Sequence, residues 1–238
     1  MPGGFVIGSA AAHDGLLTRM ADQLSLIVVS VEYRLAPEHT FPAAAEDCLD
    51  AALFALSHTG ATRLGGPLRV IAGESAGAYL TVRTAIQLRN CGINVREKIA
   101  ALVPASGIYD LTYTASVLSH QRRVIMGYSD TTKFIDAYLP PDKFPTDNRK
   151  EPKISPLYDD LRDLPPALFL CGTADPLVDD NMFMATRYSF ADNTTELKLV
   201  AEACHAFTLF PLGEVVEEGL REVLQFLDAQ LKQYPGLG

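Results

Sequence analysis

The sequence predicts an α/β protein built on a mostly parallel β-sheet flanked by helices. Short runs rich in apolar and β-branched residues alternate with stretches of helical periodicity along the chain, and this alternation is typical of parallel sheets. Each run is almost continuously apolar, as expected for strands that helices cover on both faces. The predicted strands comprise residues 26–31, 68–72, 99–103, 167–171 and 197–200.

Two segments between and after these strands show a clear helical stripe. After Pro42, apolar side chains recur at the spacing of one helix face as far as Leu56. A second stripe runs through residues 214–232 and ends before Pro235-Gly236, a pair that commonly terminates a helix. These stripes predict helices that pack against the sheet.

One segment interrupts the alternation. Residues 111–156 are rich in Tyr, Ser, Thr, Asp and Pro, and a long insertion of this kind is more often a lid or substrate-binding element than a structureless loop. No internal repeat or second domain is evident, so we expect residues 1–238 to form a single domain that carries a partial cap or lid at about 111–156.

Charge and hydropathy exclude several classes of partner. The formal net charge is −9, whereas phosphate binding needs clustered Lys and Arg, so we expect no nucleic-acid partner. No run approaches ~20 apolar residues, which predicts no membrane span. A basic segment followed by an apolar run, the pattern of a signal peptide, is also absent, and cytoplasmic localisation is therefore the default expectation.

The motif that indicates chemistry is Gly-Glu-Ser-Ala-Gly at residues 73–77. It directly follows the predicted strand 68–72 and precedes a helical run. A serine at a sharp strand-to-helix turn exposes its hydroxyl, and small flanking residues relieve crowding there. Because of this context we predict that Ser75 is a nucleophile. The alternative is a glycine-rich helix start without catalytic meaning.

A serine needs a base, and the base needs an orienting acid. Of the five histidines, only His205 follows the last predicted strand, so it is the candidate base; we interpret the others, His13, His39, His58 and His120, as structural. Asp175 follows the penultimate strand and is the candidate acid. Asp179 and Asp180 compete by proximity, although both fall in the next helix, where acidic residues suit the first turn. The order Ser, Asp, His is the order expected of α/β hydrolases.

An ester carbonyl that is attacked develops negative charge, which backbone N–H groups can bind. The residue after the nucleophile, Ala76, is one candidate donor. A second donor is expected from an early glycine-rich loop, and Gly3-Gly4-Phe5 is the candidate segment. A pair of glycines indicates nothing by itself, so this assignment depends on the family resemblance.

These motifs, with others around them, resemble the hormone-sensitive-lipase family of α/β-hydrolase esterases. The resemblance runs from residue 3 to about residue 230, and its most specific element is Tyr-Arg-Leu-Ala-Pro-Glu-His at 33–39. The other matching segments are Gly-Gly-Phe-Val-Ile-Gly-Ser at 3–9, Phe-Pro-Ala-Ala at 41–44, Glu-Asp-Cys at 46–48, Gly-Glu-Ser-Ala-Gly at 73–77, Asp-Pro-Leu-Val-Asp at 175–179 and His-Ala-Phe at 205–207.

The resemblance implies an α/β-hydrolase fold and a carboxylesterase for short to medium acyl esters, with no cofactor or metal. It also implies that Ser75, Asp175 and His205 match the family triad, and that Gly3 and Gly4, with Ala76, match its oxyanion donors. Arg34 is expected to be held by carboxylates in a framework role. The sequence departs from the family at Met1-Pro2, where His and a further Gly are usual. The N-terminal cap helices and strands of the family, including the strand that carries the Gly-rich loop, have no counterpart.

Three functional hypotheses follow from this comparison. The first is a serine carboxylesterase acting on a small-molecule ester. The second is a non-catalytic ligand-binding protein on the same fold, and the third is a decayed or shortened product whose activity is impaired because strands are missing. An exposed edge or gap in the sheet would favour pairing with another chain, so a homodimer is also expected.

Overall fold

A computed structural model describes residues 4–121, 124–210 and 212–234, and its centre is a parallel β-sheet of four strands. The strands lie side by side in chain order, which is the arrangement that right-handed helical crossovers produce. They are β1 Val70–Glu74, β2 Ala101–Ala105, β3 Ala167–Gly172 and β4 Thr195–Val200. Together with the flanking helices, this sheet confirms the predicted α/β-hydrolase fold class.

The helices alternate with the strands along the chain. None of those in the described ranges combines the length and apolar character that crossing a bilayer requires. The α-helices are α1 Asp14–Leu24, α2 Ala43–Leu56, α3 His58–Leu64, α4 Ala76–Asn90, α5 Val95–Lys98, α6 Ala115–Ser119, α7 Tyr128–Tyr138, α8 Val178–Phe190 and α9 Glu214–Gln233. Four 3₁₀ helices span Ala10–His13, Thr146–Asn148, Pro156–Tyr158 and Phe207–Leu209 within the described residues.

Both faces of the sheet are covered, as the apolar strands require. In β3, Phe169 points into a cluster with residues of α4 and α8, whereas Leu168 and Leu170 point into a cluster with residues of α9. This alternation is the two-residue period of a strand, here with apolar side chains on both faces. It explains why residues 167–171 form an uninterrupted apolar run.

The structure shifts the predicted strand boundaries by two residues in three cases. β1 and β2 each begin two residues later than the segments 68–72 and 99–103, and β4 begins two residues before 197. The pairing register, in which Val70 lies opposite Ala101, sets the first two boundaries. Hydropathy marks which residues are buried, whereas hydrogen bonding between strands decides where a strand begins.

The predicted strand at residues 26–31 is wrong. Within the described residues this segment does not join the sheet, which ends at β1 on this side. Ile27 and Val29 are 67% and 56% exposed, although the segment is strongly apolar. An apolar run is stable as a strand only when a neighbouring strand satisfies its backbone groups, and hydropathy alone does not reveal whether that neighbour exists.

The insertion at 111–156 contains helices α6 and α7 and packs over the carboxyl end of β1. Val117 and Ile135 are buried in one cluster with Phe5 and Tyr79. Arg149 is almost completely buried within the insertion. The segment is therefore packed into a core that it shares with residues outside the insertion, beside the turn at Ser75, while its role as a lid stays a prediction.

Candidate active site

Ser75 lies at the turn between β1 and α4, where the motif predicted it. Its backbone adopts φ 58° and ψ −118°, a strained conformation for a residue with a side chain. The turn is so sharp that a Cβ on Gly73 would lie 2.2 Å from the carbonyl oxygen of Gly77. Only glycine at position 73 allows this crossing, and the geometry is that of a nucleophile elbow.

The structure brings together the three residues predicted as nucleophile, base and acid. The Nε2 atom of His205 lies 2.9 Å from Ser75 Oγ. On the other side of the ring, Nδ1 lies 3.0 Å from both carboxylate oxygens of Asp175. Both side chains are buried, with 4% of His205 and 2% of Asp175 exposed. The two ring nitrogens therefore bridge the hydroxyl and the carboxylate.

Local backbone structure fixes the two partners of Ser75. Asp175 follows β3, and its Oδ1 atom also accepts a hydrogen bond of 2.8 Å from the N–H of Leu177. His205 lies in the loop after β4, immediately before Ala206, whose φ of 52° is left-handed. Because parallel strands end at the same edge of a sheet, Asp175 and His205 come together with Ser75 here, although both lie at least 100 positions after it in the sequence.

The electrostatic environment favours the protonated form of His205. Burial lowers the pKa of this imidazole, but the charge of Asp175, the hydrogen bond that Asp175 accepts from the ring and the charge of Glu74 together raise it above its ordinary value. An imidazole in this environment is stabilised when it takes up a proton. This is the property that a general base needs once it has accepted a proton from a hydroxyl.

The competing carboxylates have other partners. Asp179 accepts the Ser116 N–H at 2.7 Å. Asp180 is fully buried and accepts the N–H groups of Tyr109 and Asp110 at 2.6 and 2.8 Å, as well as the Thr114 hydroxyl at 2.7 Å. Both carboxylates thus fix α8 to residues 109–116, where the insertion begins. Burial raises the pKa of Asp180 to about 7, although its hydrogen bonds oppose the shift.

The remaining histidines differ in how far they are buried. His39 and His58 are exposed, and His120 is partly buried. His13, in contrast, is buried, and its Nε2 atom lies 3.4 Å from Oε2 of Glu74, the residue that precedes Ser75. This contact is not evident in the sequence, because no spacing pattern links residues 13 and 74.

Two of the three predicted oxyanion residues line one narrow cavity with Ser75. These are Gly4 and Ala76; Gly3 lies outside the described residues. Gly4 has a φ of 114°, and a Cβ there would lie 2.8 Å from the Ile7 carbonyl oxygen. Ala76 is the first residue of α4, so its N–H has no acceptor one turn earlier in the helix and is free for another partner.

The same cavity has an apolar wall that comes partly from the insertion. Its volume is about 20 Å³, close to the ~10–15 Å³ that a single buried water requires. The apolar lining residues are Phe5, Ile108, Met126, Phe134, Ile135 and Leu177. Hydropathy does not mark these side chains as lining a common cavity, because their positions follow no common period.

The framework prediction for Arg34 is confirmed. Its guanidinium lies 2.8 Å from Asp47 and 3.6 Å from Glu46, both in α2. Its backbone N–H also donates to Asp47 at 2.8 Å. These contacts tie the segment before α2 to that helix.

The chain is similar to known α/β hydrolases. The family model described as the α/β-hydrolase fold matches residues 2–209. The structure is similar to a hyperthermophilic esterase from the archaeon Pyrobaculum calidifontis, with 32% identity and a TM-score of 0.85, covering 96% of this chain and 72% of that one. It is also similar to a thermophilic, thermostable carboxylesterase cloned from a metagenomic library, with 29% identity, a TM-score of 0.86, and coverage of 97% and 78%.

A third similar structure is a hormone-sensitive lipase from a metagenome library. It is 29% identical, with a TM-score of 0.84, and the match covers 97% of this chain and 75% of that one. Across these three structures, the chain spans 72% to 78% of the length of the protein it matches.

Proposed function

This chain belongs to the hormone-sensitive-lipase family of α/β hydrolases, and we propose that it is a serine carboxylesterase that uses Ser75, His205 and Asp175. The observation that carries the proposal is the continuous set of contacts from Ser75 Oγ through both His205 nitrogens to the Asp175 carboxylate. A hydroxyl, an imidazole and a carboxylate in this arrangement suit acyl transfer.

In the proposed reaction, Ser75 Oγ attacks the carbonyl carbon of the ester while its proton passes to His205 Nε2. Asp175 stabilises the imidazolium that forms. When the tetrahedral intermediate collapses, the C–O bond to the alcohol breaks and His205 returns the proton to the departing oxygen. Water then attacks the acyl-enzyme with His205 again as base, which releases the carboxylic acid and restores the Ser75 hydroxyl.

We propose that the backbone N–H groups of Ala76 and Gly4 bind the negative oxygen of the intermediate. The first N–H groups of a helix carry partial positive charge, which favours an anion at the start of α4. Gly4 and Ala76 line the same cavity as Ser75, which supports this role. Gly3 is proposed as a further donor on the basis of the family resemblance.

The substrates that we propose are esters of short acyl chains. The cavity beside Ser75 is narrow and is bounded by large apolar side chains, so a short acyl group fits it better than a long one. A series of p-nitrophenyl esters with increasing acyl length tests this. We expect kcat/KM to be highest for acetate to butyrate, and a preference for long-chain triglyceride emulsions would contradict the proposal.

The decisive test is covalent labelling with a fluorophosphonate, which reacts with activated serines. We expect the wild-type protein to be labelled, Ser75→Ala to be unlabelled, and hydrolysis of p-nitrophenyl acetate to be lost in the same variant. Ser189→Ala changes an exposed serine on α8 and serves as the control that keeps full labelling.

The other outcomes identify the alternatives. A folded protein that the probe does not label would be a ligand-binding relative of the family. A protein that is both unlabelled and molten in near-ultraviolet circular dichroism would be a decayed form. Labelling that persists in Ser75→Ala would place the nucleophile elsewhere and overturn the proposal.

A further inference from the structure

Glu74 is a buried carboxylate beside the triad for which the proposed reaction gives no role. It is the last residue of β1 and immediately precedes Ser75, and only 4% of it is exposed. The Thr208 hydroxyl lies 2.8 and 2.9 Å from its two oxygens and donates to them. A buried carboxylate is costly to desolvate, and an apolar residue would serve packing alone equally well.

These contacts join the two halves of the site. Thr208 lies in the 3₁₀ helix Phe207–Leu209, three residues after His205. Glu74 lies one residue before Ser75, so its hydrogen bonds with Thr208 link the nucleophile turn directly to the loop that carries the base. The link spans 134 positions of sequence and does not pass through the triad itself.

We propose that Glu74 is a positioning residue for His205, which it holds towards Ser75 through Thr208 and whose positive charge during the reaction it helps to stabilise. The inference rests on the proposed esterase function, because it assigns to His205 the part of general base. Glu74 would then act beside Asp175 as a second carboxylate for the imidazolium, without touching the substrate.

The charged and titratable groups around His205 agree with this arrangement. Asp175, in the loop after β3, contacts Nδ1 of the ring, and the charge of Glu74 acts on His205 from the end of β1. Behind Glu74, His13 of the 3₁₀ helix Ala10–His13 approaches the same carboxylate at 3.4 Å. The pKa of His205 is raised by Asp175 and further by Glu74, against the effect of burial, so removal of the Glu74 charge should lower it.

The test separates charge from positioning with two variants. Glu74→Gln removes the charge but keeps an oxygen that can accept from Thr208. Thr208→Val removes the hydrogen bond and keeps the charge, and Thr208→Ser restores the hydroxyl. The His205 pKa is followed by NMR titration of protein with labelled histidine, with the resonance assigned by its loss in His205→Asn. The exposed His39 and His58 serve as internal controls.

In Glu74→Gln we expect the His205 pKa to fall, because a nearby negative charge that favours the imidazolium is removed. The low-pH limb of kcat/KM should move to lower pH as well. The resonances of His39 and His58 should match those of the wild type. A His205 pKa equal to that of the wild type would overturn the proposal that Glu74 stabilises the positive charge of His205. This titration needs no esterase activity, so it can succeed or fail independently of the proposed function.

In Thr208→Val we expect the low-pH limb of kcat/KM to stay unchanged, because the Glu74 charge remains. We expect kcat at the pH plateau to fall about tenfold, because a displaced base slows the reaction. Thr208→Ser should recover most of this loss. A purely structural role would lower activity only in proportion to the unfolded fraction, which circular dichroism measures. A folded Thr208→Val with wild-type kcat would overturn the positioning role, even if Glu74→Gln did not fold.

Discussion

Gly172, the last residue of β3, lies against Ala203 so closely that a Cβ on Gly172 would come within 2.0 Å of the Ala203 carbonyl oxygen. The same oxygen accepts a hydrogen bond of 3.0 Å from the N–H of Ala174. This approach sets the separation between the segment that leads to Asp175 and the segment that leads to His205. The distance between acid and base in the site thus depends on the absence of one methyl group.

We therefore expect Gly172→Ala to reduce both stability and activity. The methyl group has to displace backbone, which costs about 1–3 kcal/mol or more in a well-packed region, and the displacement separates Asp175 from His205. Urea denaturation and kcat measure the two effects. Gly66→Ala is the matched control, since a Cβ there meets no atom within 4 Å. Equal behaviour of the two variants would contradict this account of the packing.

The activity of the wild-type protein should rise with pH through the pKa of His205. The base accepts a proton only when it is neutral, and the pKa is raised mainly because the charge and hydrogen bond of Asp175 outweigh burial. The midpoint of the low-pH limb of kcat/KM should therefore lie above 6.5, the ordinary value for histidine. A midpoint below that value would show that burial dominates.

Asp175→Asn should lower kcat by about 10⁴-fold, because an amide no longer holds the imidazole in the productive tautomer or stabilises its charge. The low-pH limb of the residual activity should move to lower pH, since the largest contribution that raises the pKa is gone. Asp228→Asn, on the exposed face of α9, is the control and should match the wild type. An activity of Asp175→Asn close to that of the wild type would indicate another acid.

The titration of Asp180 should be visible in the pH dependence of the protein's stability. Burial raises its pKa in the folded protein to about 7, whereas an unfolded Asp titrates near 3.9. Between these values the folded state holds a proton that the unfolded state has lost, so the contribution is full below about pH 4 and declines as pH rises to about 7. At about 1.4 kcal/mol per pKa unit, the decline is on the order of 1–4 kcal/mol.

Asp180→Asn removes this titration while its amide oxygen can still accept the N–H groups of Tyr109 and Asp110. We expect the free energy of unfolding of the wild type, relative to Asp180→Asn, to fall between pH 4 and 7 and to level off above. Asp228→Asn should leave the pH dependence as in the wild type. A constant difference between the wild type and Asp180→Asn would mean that Asp180 is already ionised at pH 4 in the folded protein.

The parts of this molecule that the sequence predicts are those with a local signal. The apolar run at 167–171 and the Gly-Glu-Ser-Ala-Gly motif each specify a strand or a turn by themselves, and the order of Ser75, Asp175 and His205 follows from where parallel strands end. The segment 26–31 carries the same local signal, yet it forms no strand in the described structure. A strand forms only beside a partner strand, and hydropathy does not indicate whether such a strand is present.

The contacts that the sequence did not predict join residues far apart by hydrogen bonds. Glu74 and Thr208 are 134 positions apart, and Asp180 lies 70 and 71 positions from the N–H groups it binds. Buried polar side chains are identified by the hydrogen-bond partners that they contact in the structure, because they follow no periodic pattern in the sequence. Their positions become evident only when the sheet has brought the loops together.

Arg149 shows how such a contact network governs the insertion. Its guanidinium donates to the carbonyl oxygens of Phe144 and Leu139 at 3.1 and 3.0 Å, to the Tyr113 hydroxyl at 3.3 Å and to Asp136 at 2.7 Å. The side chain is 1% exposed. Segments that flank α7 thus converge on one buried cation, and α7 carries residues that line the cavity beside Ser75.

Arg149→Met keeps most of the side-chain volume but leaves these carbonyl oxygens without their donor. We expect a loss of about 2–4 kcal/mol, since breaking a buried, charged hydrogen-bond network is strongly destabilising. Arg162→Met, which removes an exposed cation paired with Asp160, should leave the free energy of unfolding close to that of the wild type, because solvent screens an exposed ion pair. Urea denaturation gives both values.

The same substitution should change substrate choice. If the insertion loosens locally, the cavity wall at Phe134 and Ile135 recedes, and longer acyl chains gain access to Ser75. The ratio of kcat/KM for p-nitrophenyl octanoate to that for the acetate should then be higher in Arg149→Met than in Arg162→Met, at a temperature where both remain folded. An unchanged ratio with reduced stability would mean that the insertion supports the fold without limiting the acyl chain.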